Sequence, residues 1–77
     1  MEIIDKVKVI LSELSGIETV CLEHELQSDL GLDSLQMVTL LMMLEETFQI
    51  VLDESDMNPF DLIKACHVVD LVKKYLG

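Results

Sequence analysis

Apolar residues recur at helical spacing in three stretches of the chain, separated by polar, turn-forming segments. From Glu2 to Ser15, the residues Ile3, Val7, Ile10, Leu11 and Leu14 mark one buried stripe. Ser15-Gly16 then ends this helix, with the glycine as a left-handed cap. Ser34 to Phe48 reads as a second helix. Its Met37, Leu40, Leu41, Leu44 and Phe48 fall at i, i+3, i+4, i+7 and i+11 and form a core stripe. Leu35, Val38 and Met42 form a second line that runs into Glu45 and Glu46. So much apolar surface exceeds what one buried face needs. The second line is therefore a candidate partner surface, where methionine adapts to varied shapes. Leu62 to Leu76 reads as the last helix, with Leu62, Cys66, Val69, Val72 and Leu76 at the buried spacing and Lys73 and Lys74 at its negative end.

The segments between these patterns are also informative. Residues Ile17 to Gly31 make a loop that is long for so short a chain, so its own apolar residues must pin it. Val20, Leu22, Leu26 and Leu30 are suited to that, while Glu18, Glu23, Glu25, Asp29 and His24 belong in water. In Gln49 to Asn58, Ile50 and Leu52 point inward and Asp53-Glu54-Ser55-Asp56 predicts a turn or one short helix. Asn58-Pro59 disfavours helix at Asn58 and suits a new start at the proline, and Asp61 is a candidate cap for the last helix. The prediction is a single all-α domain over residues 1–77: a small bundle of three to four helices with a long first loop. Such a loop implies a crossing connection rather than a tight hairpin. The expected core is Ile3, Val7, Ile10, Leu14, Leu40, Leu44, Phe48, Val69 and Val72.

Composition narrows the function. With 77 residues, 51% of them hydrophobic, the chain is neither a disordered tail nor large enough for a deep catalytic cleft. No apolar run approaches the roughly 20 residues of a membrane span. The amphipathic start at Met1 lacks a signal-peptide pattern, so a cytoplasmic monomer is expected. A net charge of −10 argues against nucleic acid. All five basic residues, Lys6, Lys8, Lys64, Lys73 and Lys74, lie near the ends; the stretch from Val9 to Ile63 holds twelve acidic residues and no basic one. That acidity serves solubility, or a docking surface that steers basic partners. Cys21 and Cys66 could pair only if the fold brings them together, and without a sign of secretion two buried or half-buried thiols are expected. Cys21, His24, Cys66 and His67 make a poor metal set, because adjacent residues diverge on a helix. No convergent acid–base or nucleophile set is present, which argues against an enzyme.

One short stretch joins the long loop to the most apolar helix: Asp29-Leu30-Gly31-Leu32-Asp33-Ser34-Leu35. Gly31 permits a backbone conformation that a side chain resists. Asp33 and Ser34 are both good helix-start residues. Ser34 thus lies at the positive end of a helix, where an attached anion would face backbone donors. From the residues alone, Ser34 is either a cap or an attachment point. It is not a nucleophile elbow, since Leu32 and Gln36 stand where that motif needs glycine.

This heptapeptide, in a chain of this length and element order, resembles the modification motif of the acyl carrier proteins. The resemblance covers nearly the whole chain and implies a carrier that is not itself an enzyme. Ser34 would bear a 4'-phosphopantetheine arm, with Asp33 and Gly31 shaping the site. A phosphopantetheinyl transferase would install the arm from coenzyme A with Mg²⁺. Acyl-loading, condensing or acyl-transferring enzymes would then dock on Leu35, Val38, Met42, Glu45 and Glu46. Carriers of primary fatty acid synthesis usually hold more acidic residues on this helix. The presence of Gln36, Met37, Thr39 and Leu41 instead favours a specialised, polyketide-like or secondary-metabolite pathway over fatty acid synthesis. Two alternatives stand beside this reading: an amino-acid carrier of the peptidyl type, and an acidic helical interaction module without a prosthetic group.

Overall fold

The computed structural model describes residues 2–58 and 61–77. Among these residues three α-helices form the bundle: α1 (Ile3–Ser15), α2 (Ser34–Phe48) and α3 (Ala65–Leu76), with a 3-10 turn at Glu54–Asp56 before the last. This is the all-α architecture expected from the periodicity. Helix α1 packs against both α2 and α3. Val7, Ile10 and Leu11 of α1, Met37, Leu40, Leu41 and Leu44 of α2, and Ala65, Val68, Val69 and Val72 of α3 are buried together. Ile3, Leu14 and Phe48 sit at helix ends and are only half-buried. Helix α1 stops where Gly16 adopts φ 76° and donates its N–H to the Ser12 carbonyl at 2.8 Å, as a left-handed glycine cap should.

The first loop is pinned as its apolar residues predict. Val20, Leu26 and Leu30 are buried, joined by Leu32, while Leu22 is half-buried. His24 is not the exposed residue expected: it is half-buried, and its Nδ1 accepts the Cys21 N–H at 3.1 Å.

The last helix starts three residues later than the pattern predicts. Its N-cap is Lys64, not Asp61. The reason lies in the first loop. The Leu26 N–H donates to the Ile63 carbonyl at 2.8 Å, and the Ala65 and Cys66 N–H groups donate to the His24 and Leu22 carbonyls, both at 3.0 Å. Residues 62–64 therefore run extended along the loop, and loop carbonyls satisfy donors that a side-chain cap otherwise takes. His67 completes the start, its Nδ1 accepting the Lys64 N–H at 3.1 Å and the Ile63 N–H at 3.3 Å. The later start also shifts the buried face to Ala65, Val68, Val69 and Val72; Cys66 is half-buried and Leu76 exposed. The proposed helix start at Pro59 lies outside the described residues.

Two polar anchors hold the segment after α2. The Glu45 carboxylate accepts the Leu52 N–H at 3.0 Å, which helps sink Leu52 into the core. Further on, the Tyr75 hydroxyl donates to Asp56 at 2.5 Å and accepts the Asp53 N–H at 2.8 Å, and Lys74 lies 3.1 Å from the same carboxylate. The Tyr75 hydrogen bond, then the Lys74 ammonium, hold the Asp56 carboxyl below the usual carboxylate range. The same contact with Asp56 pushes Tyr75 and Lys74 up.

Candidate functional site

The serine at the head of α2 is presented by alternation along the preceding turn. Leu30 and Leu32 are buried, so Asp29, Gly31 and Asp33 face outward. Gly31 takes φ 70°, and a Cβ built there would meet nothing within 4 Å. The demand for glycine is therefore conformational rather than steric. Asp29 braces the turn from below, its Oδ2 accepting the Glu25 N–H at 2.8 Å, and the Leu32 N–H donates to the Leu26 carbonyl at 3.0 Å.

Of the two candidate caps, Asp33 does the work. Its Oδ1 accepts the Gln36 N–H at 2.8 Å, and its own N–H donates to Gln36 Oε1 at 3.2 Å. This reciprocal pair is a capping box. Ser34 is the first residue of the helix, exposed, and its hydroxyl makes no hydrogen bond among the described residues. The serine is thus spared the structural duty that most often explains a serine at a helix start. Its oxygen stands free at the positive end of α2, with the cap beside it already satisfied. A phosphodiester on that oxygen would need no buried space and would displace no existing hydrogen bond, so the residues present fit such a group.

The second line of α2 also lies where the pattern places it. Leu35 is 75%, Met42 59% and Val38 43% exposed, whereas Met37, Leu40, Leu41 and Leu44 are at most 1% exposed. Glu46 is exposed, but Glu45 is half-buried and committed to the Leu52 N–H. It is a loop anchor as well as a surface charge. On the sequence alone Met37 and Leu41 count as signs of a weakly charged docking helix. Being core, they say nothing about that face, and only Gln36 and Thr39 bear on it. Thr39 itself is turned back, its hydroxyl donating to the Leu35 carbonyl at 3.1 Å.

Two of the lysines, Lys6 and Lys73, lie away from Ser34. Lys6 lies over the Phe48 ring at 5.7 Å, and Lys73 lines a shallow groove with Glu2, Ile3 and Ile4. These mark the pole where α1 begins and α2 and α3 end. Lys64, at the start of α3, is paired with Glu23 at 3.5 Å. Both cysteines are free thiols; Cys66 is half-buried as expected, but Cys21 is exposed, because its neighbour Val20 is the residue that turns into the core. The loop–α3 seam brings the neighbourhoods of Cys21, His24, Cys66 and His67 together. Even so, no group of three or more His, Cys, Asp or Glu able to hold an ion forms among the described residues. No helix of the described residues is long and apolar enough to cross a membrane.

The role of Gln36 was missed at the sequence level, where it counted only as a missing charge. The signal was legible as Asp33-x-x-Gln36, the spacing of a capping box. The brace at Asp29 had no such signal.

Comparison with known proteins bears on the same stretch. A sequence profile for the family described as "Phosphopantetheine attachment site" matches residues 5–63. The acyl carrier protein of Thermotoga maritima is 37% identical over 78 residues, covering 99% of this chain and 94% of that protein. The acyl carrier protein of Desulforapulum autotrophicum is 48% identical over 59 residues, covering 73% of this chain and 77% of the relative. The crystal structure of a Thermotoga maritima acyl carrier protein superposes with a TM-score of 0.76 at 31% identity, covering 95% of this chain and 85% of that one.

Proposed function

The chain belongs to the acyl carrier proteins, whose prosthetic group is a covalent 4'-phosphopantetheine, and on that premise we propose that Ser34 is its attachment residue. The observation that carries this is the division of labour at the head of α2. Asp33 and Gln36 close the cap, and the Ser34 hydroxyl is left exposed and unengaged. When bound, the arm supplies a terminal thiol that carries acyl groups as thioesters. The protein's own residues bind and present; they do not catalyse. Gly31 and the buried pair Leu30 and Leu32 hold the turn, Asp33 caps the helix, and Ser34 offers its oxygen to the transferase.

We further propose that residues 1–77 work as a single carrier domain, monomeric and cytoplasmic. Its partners are a phosphopantetheinyl transferase and the enzymes that load, condense or transfer the acyl group. Leu35, Val38 and Met42 would be their apolar anchors and Glu46 a steering charge, with Glu45 contributing while it holds the following loop. The tether keeps a reactive intermediate at high effective concentration near each partner. The exposed face of α2 is apolar through Met42, with Gln36 turned to the cap and Thr39 to the backbone. This supports a specialised pathway over a housekeeping one, on fewer residues than the sequence alone suggested.

The test is direct. The apo protein is incubated with coenzyme A and a promiscuous transferase, and intact mass and peptide mapping are recorded. One phosphopantetheine on Ser34 is expected. No gain in mass, or a gain elsewhere, refutes the assignment.

A further inference from the structure

The side chain of Gln36 works on two helices at once. Its Oε1 accepts the Asp33 N–H at 3.2 Å, and its Nε2 donates to the Leu14 carbonyl of α1 at 3.0 Å. Leu14 lies in the last turn of α1, whose carbonyls have no partner within their own helix, and Asp33 lies at the start of α2, whose N–H groups are likewise unpartnered. A primary amide can serve both ends because it carries an acceptor and a donor. A glutamate keeps the first contact and cannot make the second. A methionine of similar length makes neither.

We propose that Gln36 is a positioning residue for the modification of Ser34. Its amide ties the cap that presents the serine to the C-terminal end of α1, so the turn meets the transferase already fixed relative to the bundle. This rests on the reading of Ser34 as the attachment site. Without the tether, the capping contact at Asp33 can persist in the glutamate variant, and a carboxylate suits that helix end. The turn carrying Ser34 then loses its hydrogen bond to α1 and is held to it by packing alone, so partner binding must do more to order it, at a cost to the rate of modification.

The experiment compares the wild-type apo protein with Gln36→Glu and Gln36→Met, at a temperature where urea curves show all three folded. Initial rates of phosphopantetheine transfer are measured over carrier concentration at low and high salt. Relaxation of the Ser34 and Leu35 amides is recorded by ¹⁵N NMR. Gln36→Glu is expected to lose about fivefold in kcat/KM, the factor corresponding to one hydrogen bond's typical net contribution, and Gln36→Met, which gives up the capping contact as well, at least as much. The loss should be independent of salt, and both amides should become more mobile. A Gln36→Glu protein modified at the wild-type rate overturns the proposal. So does a loss confined to Gln36→Glu and abolished by salt, which reports the added charge alone, or a slower rate with unchanged amide mobility. A wild-type protein that gains no mass refutes the attachment reading instead, and amide mobility then decides the tether by itself.

Discussion

Helix α2 faces opposite demands on its two sides, and alanine substitutions should separate them. Leu40 and Leu44 are 0% exposed. Each change to alanine removes buried methyl groups and leaves a cavity, at an expected cost of about 2–5 kcal/mol. That is a large share of the roughly 5–15 kcal/mol that holds a small domain folded. Leu35 keeps 75% of its surface in water. Full burial of a leucine side chain is worth about 1.5–3 kcal/mol, so the quarter that Leu35 buries corresponds to about 0.4–0.8 kcal/mol. Met42, 59% exposed, should also cost far less than the core pair. Urea midpoints on the four single variants read the stability half. Transferase kinetics read the other half, since Leu35→Ala and Met42→Ala remove apolar anchors from the proposed docking face and should weaken partner engagement. If Leu35→Ala and Met42→Ala lower the urea midpoint as much as Leu44→Ala, the second line is core and the docking face is wrongly assigned. If they change neither stability nor transfer, the face is solvated surface only. The assignment of Ser34 survives both outcomes.

Three further outcomes are expected. Ser34→Ala should abolish phosphopantetheine attachment without lowering the urea midpoint, because the serine is not the cap, whereas Asp33→Ala should cost about 0.5–2 kcal/mol; equal losses for the two would refute the division of labour. Tyr75→Phe should lower stability near neutral pH and leave it less dependent on acid than that of the wild type. The Asp56 carboxyl is held low in the folded state, so its contribution is present above the ordinary carboxylate pKa of about 3.9 and is lost as pH falls through the lowered value. Tyr75 and Lys74 are raised, so their contribution is present below their ordinary pKa values and is lost as pH rises through the raised ones, in the alkaline range. Wild-type and Tyr75→Phe stability should therefore differ most between these limits and converge outside them, and a constant difference across pH would refute the link. Finally, partner association measured by stopped flow should slow as salt rises, and Glu46→Lys should slow it more than Glu2→Lys; rates indifferent to salt would leave the acidity to solubility alone.

Periodicity and turn chemistry by themselves determined the three helices, the glycine stop at Gly16, the core stripe of α2 and the exposed second line. These are local properties: a 3.6-residue repeat and a left-handed cap are written in neighbouring residues. The motif Asp29–Leu35 and its resemblance to the acyl carrier proteins were legible for the same reason. Other features belonged to the tertiary structure. Periodicity ran the last helix back to Leu62, but its start at Ala65 is set by the Leu22 and His24 carbonyls, some forty residues away in sequence, and no local signal announces them. Glu45 looked like a free charge because the Leu52 N–H that it accepts is placed by the turn after α2. The choice of Asp33 over Ser34 as cap is written in the spacing Asp33-x-x-Gln36, but the second contact of Gln36, to the Leu14 carbonyl, is not. Packing supplied that contact, by bringing the end of α1 within reach of Gln36. Short-range patterning specifies which segments are helical and which faces are apolar, but a hydrogen bond between distant segments exists only once the bundle has brought its donor and acceptor together.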